Sequence, residues 1–468
     1  MAERKVAWKP RNENTLIGKR IPRTDGIEKA SGSAKYAADI NTPGTLFARA
    51  LVCTKPHAKI VTLDVTPAEA IEGVRGVQIL RDVDAVCQWD GTIVAVVAAD
   101  RPEIADDGVR AIEVTYKDLP FFVDEDNIEA ATEIDKKNVN AEGDLTDEAA
   151  AQGQPIRTKD FGLQEKGDVA AALKNAAVVH KGYYGIATIS HMCMEPHGSH
   201  CEFTPDGKLT VHLSTQNVSG TAGGFAEGLG IEISKVSVIC NYVGGGFGSK
   251  FAPGEWGLAC AELARKTGKP VRFMLDRATE LKTAGIRPSG FANVTIAADA
   301  EGKIVAWDSH HWGSDGVGAG IVSIGQYPYV FEFENRNRKG TGIAINGGPV
   351  QAWRAPPHPQ LCALTHTAID DLAAKLDMSS YDVFLKNLDK TERPQVYAEE
   401  MKIAAKLIDW NAKWHPRGKG GGNGPVKQGV GMALHKWGGA PHAAACLLKI
   451  HPDGSVESIA GSQDIGTG

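Results

Sequence analysis

A chain of 468 residues, 42% hydrophobic and 23% charged, has material for two or more cores and needs neither disulfides nor metals merely to stay folded. Its net charge of −6 argues against a general nucleic-acid binder, whose affinity rests on neutralising phosphates. No apolar run reaches the roughly eighteen residues of a membrane span, and the N-terminus lacks a signal-peptide pattern. A cytoplasmic location is therefore expected, with periplasmic export on a partner subunit as the alternative.

Thr92 to Ala99 reads as a valine-rich strand, Pro102 opens a helical run through Ile104, Val109 and Ile112, and Glu113 to Tyr116 returns to a strand. This order predicts one α+β domain over residues 1–124, with a scaffold or docking role because no catalytic cluster stands out. From Asp124 to about Gln154 the composition turns acidic and small, so residues 125–160 read as a solvated connector. Asp168 then caps a helix from Val169 to Ala176, and Val178 to Thr188 is a strand.

His191, Cys193, Glu195 and His197 would share one face of an extended segment and are zinc-ligand types. Pro196 interrupts that segment and the close spacing hinders convergence on one ion, so a structural role is favoured. The eight cysteines contain no C-x-x-C pair, which disfavours a zinc ribbon or an iron–sulfur cluster in this chain. They read as reduced, mostly buried thiols of a reducing compartment.

Val236, Val238 and Cys240 mark a strand, and Trp256, Ala259, Cys260, Leu263 and Ala264 a helix. Between them runs Asn241-Tyr-Val-Gly-Gly-Gly-Phe-Gly-Ser-Lys250, whose glycines let backbone N–H groups approach an anion or a flat cofactor. Ser249-Lys250-Phe251 fails the phosphate-loop pattern, and Ser249 stands where a dinucleotide fingerprint needs its third glycine. A tight turn without a ligand is the plainer alternative. Pro270 to Arg277 contains a strand. Further on, Pro356, Pro357 and Pro359 stiffen the loop Val350–Gln360 and present Arg354 ahead of a helix with Leu361, Leu364, Ala368, Leu372 and Leu376 on one stripe. An arginine paired with a surface carboxylate is the alternative there. Gly418 to Pro425 is a flexible link. Gly429–Leu434 and Ala444–Ile450 read as strands, and His451-Pro-Asp-Gly454 as a hairpin turn.

With its flanks, the glycine loop resembles the molybdenum hydroxylase large subunits, the xanthine dehydrogenase and aldehyde oxidoreductase group. Ile17-Gly-Lys19, Arg23-Thr-Asp25-Gly26, Gly32-Ser-Ala34-Lys-Tyr36, Met194-Glu195-Pro196-His197, Ser214-Thr-Gln216-Asn217, Gly285-Ile-Arg287-Pro288 and Gly461-Ser-Gln463-Asp464-Ile465-Gly466-Thr467-Gly468 all match its motifs. The resemblance implies an α+β multidomain chain: a hammerhead-like α/β domain over 1–124, the connector, a molybdopterin-binding domain over 161–415 and the start of a second over 425–468.

It also implies a molybdenum–molybdopterin cofactor, expected in the cytosine dinucleotide form, contacted by Gln216, Gly246, Phe247, Gly248, Arg354, Ile465, Gly466 and Thr467. Gln216, Phe247 and Arg354 would stand beside the metal without coordinating it. Phe251 and Pro356 would line the substrate pocket. Phe251 occupies the place of the glutamate of purine-hydroxylating members, and Ala355-Pro356-Pro357-His358 replaces their aromatic-bearing segment. The Arg354 loop lacks the cysteine of the carbon monoxide dehydrogenase branch. Aldehydes or aromatic N-heterocycles, hydroxylated with water-derived oxygen, are the expected substrates.

Electrons would leave through a [2Fe–2S] subunit and an FAD subunit, with a dimer of such heteromers as one arrangement. Family chains carry their general-base glutamate beyond the matching final loop. No catalytic residue is therefore expected within this chain, which reads as a fragment, a truncated product or one piece of a split subunit. Two rivals stand beside this reading: an inactive cofactor- or partner-binding module, and a nicotinamide-dependent dehydrogenase opposed by the failed fingerprint.

Overall fold

The computed structural model describes residues 10–320, 324–420, 424–438, 445–461 and 464–465. The expected strand at Thr92–Ala99 forms as Ile93–Ala99, with every residue buried, because its two faces pack on different layers. Val96 and Ala98 face the Val218–Leu229 and Gly254–Thr267 helices through a core containing Phe225, Leu229, Trp256 and Leu263. Ala95 and Val97 turn instead toward Val77 and Ile112, beside the Pro102–Ala111 helix.

This strand belongs to a seven-stranded sheet. Its order is Val236–Ile239, Leu209–Leu213, Gly198–Phe203, Val271–Met274, Leu46–Val52, Ile93–Ala99, Val74–Ile79. Leu46 and Phe47 pair in parallel with Val271 and Arg272, so the boundary expected at residue 124 does not separate two sheets. Strands from the first hundred residues and from beyond residue 198 share one ladder.

A second, five-stranded sheet runs Thr158–Lys166, Arg336–Ile343, Ile304–Gly313, Gly290–Ala298, Val178–Ile186. The stripe predicted from Leu361 to Leu376 is the buried face of the His358–Lys375 helix, which packs on this sheet with Trp307, Tyr329, Phe331 and Phe384. Asp168 caps Val169–Asn175 through Ala171 N–H at 2.9 Å.

Two expectations change. The acidic connector is not a solvated strap: Asn127 caps a helix over Ile128–Asn138, whose Ala131 is fully buried against Phe122 and Trp312. Asp135 from that helix accepts the Arg157 and Thr158 N–H groups, each at 2.7 Å, and so starts the edge strand of the second sheet. Gly429–Leu434 lies in no strand, since a ladder needs a neighbour and none pairs with it among the described residues. Leu434 and Met432 instead anchor the segment in the core under the His358–Lys375 helix. The hairpin forms, pairing Cys446–Ile450 with Val456–Ala460. All eight cysteines are free thiols, and Cys446 is exposed. No helix among the described residues is long and apolar enough to cross a membrane.

Burial of three histidines gives the fold an acid limit. His311 is pushed down to about 3, and His366 and His200 to about 4, in each case chiefly because burial disfavours the charged ring. Depressed folded values mean that the unfolded chain takes up these protons first. Stability is then full above the ordinary histidine range and falls as pH drops toward 4, by up to about 1.4 kcal/mol per pH unit for each histidine. Thermal midpoints measured from pH 7.5 to 4.5 should fall accordingly, and His366→Phe should flatten the curve. An unchanged slope in that variant would contradict the assignment.

Candidate functional site

The Leu209–Leu213 and Val236–Ile239 strands run parallel, so the segments after both leave the same edge of the sheet. Ser214–Asn217 follows the first and the glycine loop follows the second, the usual place for a ligand in such sheets. Gln216 lies directly on the loop: its N–H donates to the Lys250 carbonyl at 3.0 Å, and its Oε1 accepts Gly248 N–H at 2.8 Å. A β-carbon at Gly246 would stand 2.4 Å from that same Oε1. Glycine at 246 is thus the condition for this contact.

The Arg354 loop reaches the glycine loop from the second sheet's side of the molecule. Arg354 N–H donates to the Phe247 carbonyl at 2.6 Å, and a β-carbon at Gly248 would fall 2.3 Å from the Ala352 carbonyl oxygen. Phe247 and Ala355, the two residues flanking this junction, both have left-handed backbones, at φ 52 and 60. Such conformations cost non-glycine residues about 1–3 kcal/mol and persist only where the surroundings enforce them.

Trp353 supplies part of that enforcement. Its ring stacks on His191 at 4.7 Å and lies under the Arg287 guanidinium at 5.1 Å. Arg287, buried, also donates to the Arg354 carbonyl at 2.7 Å and to Gln360 at 3.2 Å. Burial lowers the His191 pKa, and its Nε2 lies 2.7 Å from the Ala352 carbonyl and its Nδ1 3.3 Å from the Gly285 carbonyl. Lysine cannot reproduce Arg287's fork and stacking. Arg287→Lys should therefore cost about 2–3 kcal/mol in denaturant unfolding, and an unchanged midpoint would remove Arg287 from this role.

Beneath the loop the sequence stretch His191–His197 resolves into separate partners. Glu195, 8% exposed, accepts Gly244 N–H at 2.7 Å, Ser214 Oγ–H at 2.8 Å and Ala37 N–H at 3.2 Å. Lys250, whose side chain is fully buried, donates to the Glu195 carbonyl at 2.8 Å and to Ser214 Oγ at 2.5 Å, with its ammonium 3.9 Å from the Glu195 carboxylate. Burial lowers the Lys250 pKa and Glu195 counteracts it. Among the described residues no three His, Cys, Asp or Glu side chains are grouped to hold a metal. The donors at the rim are instead an amide, a guanidinium and backbone groups.

The structure brings Gln216, Gly246, Phe247, Gly248 and Arg354 together. Phe247 and Phe251 are 43% and 48% exposed, and Arg354 and Pro356 are also exposed, so the site is an open shelf. Pro356 follows Arg354 by two residues in its loop, and the Phe251 carbonyl accepts from Asn217 at 3.1 Å beside the glycine loop. Ile465 is 42% exposed, and its neighbour Asp464 forms an ion pair with Arg23 that ties the last described residues to the N-terminal segment. Gly466 and Thr467 lie outside the described residues. Sequence reasoning met Glu195 only as one of a group of ligand-type residues and Lys250 and Arg287 only as parts of motifs, and gave Trp353 no role; the available signal was charge placed inside otherwise apolar or glycine-rich motifs.

A family model described as the molybdopterin cofactor-binding domain matches residues 153–388, and one described as the aldehyde oxidase and xanthine dehydrogenase a/b hammerhead domain matches residues 31–88. The chain is 28% identical over 419 residues to the nicotinate dehydrogenase large molybdopterin subunit of Eubacterium barkeri, covering 84% of this chain and 94% of that protein. It is 27% identical over 485 residues to the aldehyde oxidoreductase molybdenum-binding subunit PaoC of Escherichia coli O157:H7, covering 98% of this chain and 64% of that one. With aldehyde oxidase 2 of Rattus norvegicus identity is 25% over 493 residues, and the chain spans only 35% of that protein's length. The fold is shared with the aldehyde oxidoreductase of Desulfovibrio gigas at a TM-score of 0.71 and 20% identity, covering 93% of this chain and 51% of that one. Because Gln216, the glycine loop and Arg354 all fall inside the span matched by the first model, the chain belongs to the xanthine dehydrogenase and aldehyde oxidoreductase family of molybdopterin-binding molybdenum hydroxylases.

Proposed function

We propose that the chain is the molybdopterin-binding subunit of an oxidoreductase that hydroxylates aldehydes or aromatic N-heterocycles. The observation that carries this reading is the junction of three loops, Gly248 N–H on Gln216 and Arg354 N–H on Phe247, at one sheet edge. These residues fit a cofactor that brings its own chelated metal: a glycine loop with few side chains, a side-chain amide against it, an exposed guanidinium at the rim, and no metal-ligand group among the described residues. Names of relatives support the substrate classes, since one is a nicotinate dehydrogenase subunit and another an aldehyde oxidoreductase subunit.

When bound, molybdenum in its pterin supplies the two-electron acceptor and the transfer of a water-derived oxygen. The chain's residues bind and orient. Gly246 and Gly248 admit the cofactor close to the backbone, the Gln216 amide offers a hydrogen bond without ligating metal, and Arg354 offers positive charge to an anionic group of cofactor or substrate. Phe247 meets the cofactor, and Phe251 and Pro356 present apolar surface to a flat substrate. The cytosine dinucleotide form of the pterin, and iron–sulfur and FAD subunits as electron carriers, complete the proposal. Turnover of an N-heterocycle by the complex in ¹⁸O-labelled water, with a dye as oxidant, should place one labelled oxygen at the hydroxylated carbon of the product. Label arriving only from dioxygen, or a strict requirement for nicotinamide, would overturn the reading.

A further inference from the structure

Under the glycine loop, on the side away from its exposed rim, Glu280, His197 and Ser249 form a chain of hydrogen bonds. Glu280 Oε1 lies 2.8 Å from His197 Nδ1, His197 Nε2 lies 2.9 Å from Ser249 Oγ, and Ser249 Oγ lies 2.8 Å from the Gly246 carbonyl. All three side chains are buried, and Arg277 pairs with the second Glu280 oxygen. Carboxylate, imidazole and hydroxyl stand in the order used by serine hydrolases. Here the hydroxyl is not offered to a substrate.

The proton inventory shows why. A carbonyl only accepts, so the Ser249 hydroxyl donates to Gly246, whose oxygen also takes the Ser249 N–H at 2.9 Å, and His197 Nε2 lies 2.9 Å from Ser249 Oγ. His197 Nδ1 stands within hydrogen-bond distance of Glu280 Oε1, and burial opposes a charge on the ring. The chain of contacts ends on the peptide that leads into Phe247. That residue is held in a left-handed backbone at φ 52 while 43% exposed, a conformation a bulky side chain leaves when its constraints are removed.

We propose that Glu280, His197 and Ser249 are positioning residues: their hydrogen-bond chain draws the Gly246 carbonyl into the protein and fixes Phe247 on the face that meets the cofactor. The role toward the cofactor rests on the function proposed above; the hold on the loop does not. The second carboxylate, Glu195, secures the loop's other end at Gly244 N–H, so the segment is clamped at two points.

Hydrogen–deuterium exchange on the full chain prepared without cofactor tests the hold directly. Ser249→Ala should speed exchange of the Gly244–Gly248 amides about five- to tenfold, as expected for loss of one buried hydrogen bond, while the Val271–Met274 strand stays unchanged. Ser249→Thr, which keeps the hydroxyl, should restore slow exchange, and His197→Phe should behave as Ser249→Ala does. Unchanged loop exchange in both Ser249→Ala and His197→Phe would overturn the proposal, and so would labelling of Ser249 by a fluorophosphonate, which would mark a nucleophile. Molybdenum content of the wild-type complex is read separately, so a protein without metal whose loop still loosens in Ser249→Ala would refute the functional reading and leave the clamp standing.

Discussion

Replacing Glu195 by alanine is expected to cost about 3–5 kcal/mol of folding stability, because it strands a buried ammonium. Lys250 is enclosed, and the Glu195 carboxylate 3.9 Å away is the first of the groups that oppose the effect of burial on its charge. The same substitution removes acceptors for Gly244 N–H, Ser214 Oγ–H and Ala37 N–H. Two mechanisms therefore add at one residue. With its partner gone, the folded-state pKa of Lys250 falls further below the unfolded value. The unfolded chain then binds the extra proton, and the deficit shrinks as pH rises toward the ordinary lysine range. Pairing Glu195→Ala with Lys250→Met should recover part of the loss, since no charge is left unpaired. Denaturant unfolding of the single and double variants at pH 7 and 9 checks both statements. A deficit that is independent of pH and undiminished in the double variant would show that the ion pair is not the cause.

The second large effect is expected at Gly248, where alanine should cost about 3–5 kcal/mol through backbone strain combined with overpacking. Its φ is 110, outside the left-handed helical region that other residues tolerate, and the added β-carbon would lie 2.3 Å from the Ala352 carbonyl oxygen. Relief requires the Arg354 loop to retreat from the glycine loop, which breaks the junction that defines the site. Gly230 is the control: its φ is 63 and nothing lies within 4 Å of an added β-carbon, so Gly230→Ala should cost only about 1–2 kcal/mol. Equal destabilisation of the two variants would show that backbone conformation alone, and not contact between the loops, sets the cost at Gly248.

Local features of this fold were legible in the sequence because local physics decides them. The change of period around the glycine loop places the Val236–Ile239 strand and the Gly254–Thr267 helix. Asp168 is read as a cap from its own side chain and the residues that follow it. What escaped reading depends on distant partners. Leu46 pairs with Val271 across more than two hundred residues, and no periodicity in either strand carries that register. Ile128, Ala131 and Ile134 are too few apolar residues to outweigh the acidic composition around them, yet they bury one helix face. Gly429–Leu434 has a strand's composition and finds no ladder among the described residues.

The site divides in the same way. Gln216, the glycine loop and Arg354 could be named from motif resemblance, and their contact is a fact of the fold. Glu195 and His197 were visible only as a dense group of ligand-type residues. Their partners, Lys250 and Ser249 in the loop and Glu280 on the Arg277–Thr283 helix, lie 52 to 83 residues away in the chain. Only the assembled structure shows that the group supports the loop from below.

The central claim is that these joined loops hold a molybdenum-bearing pterin. Metal and pterin analysis of the complex, isolated with its partner subunits under conditions that preserve labile cofactors, tests it most directly. The account predicts molybdenum and pterin in equal amounts, near one of each per chain. A complex carrying neither would contradict it.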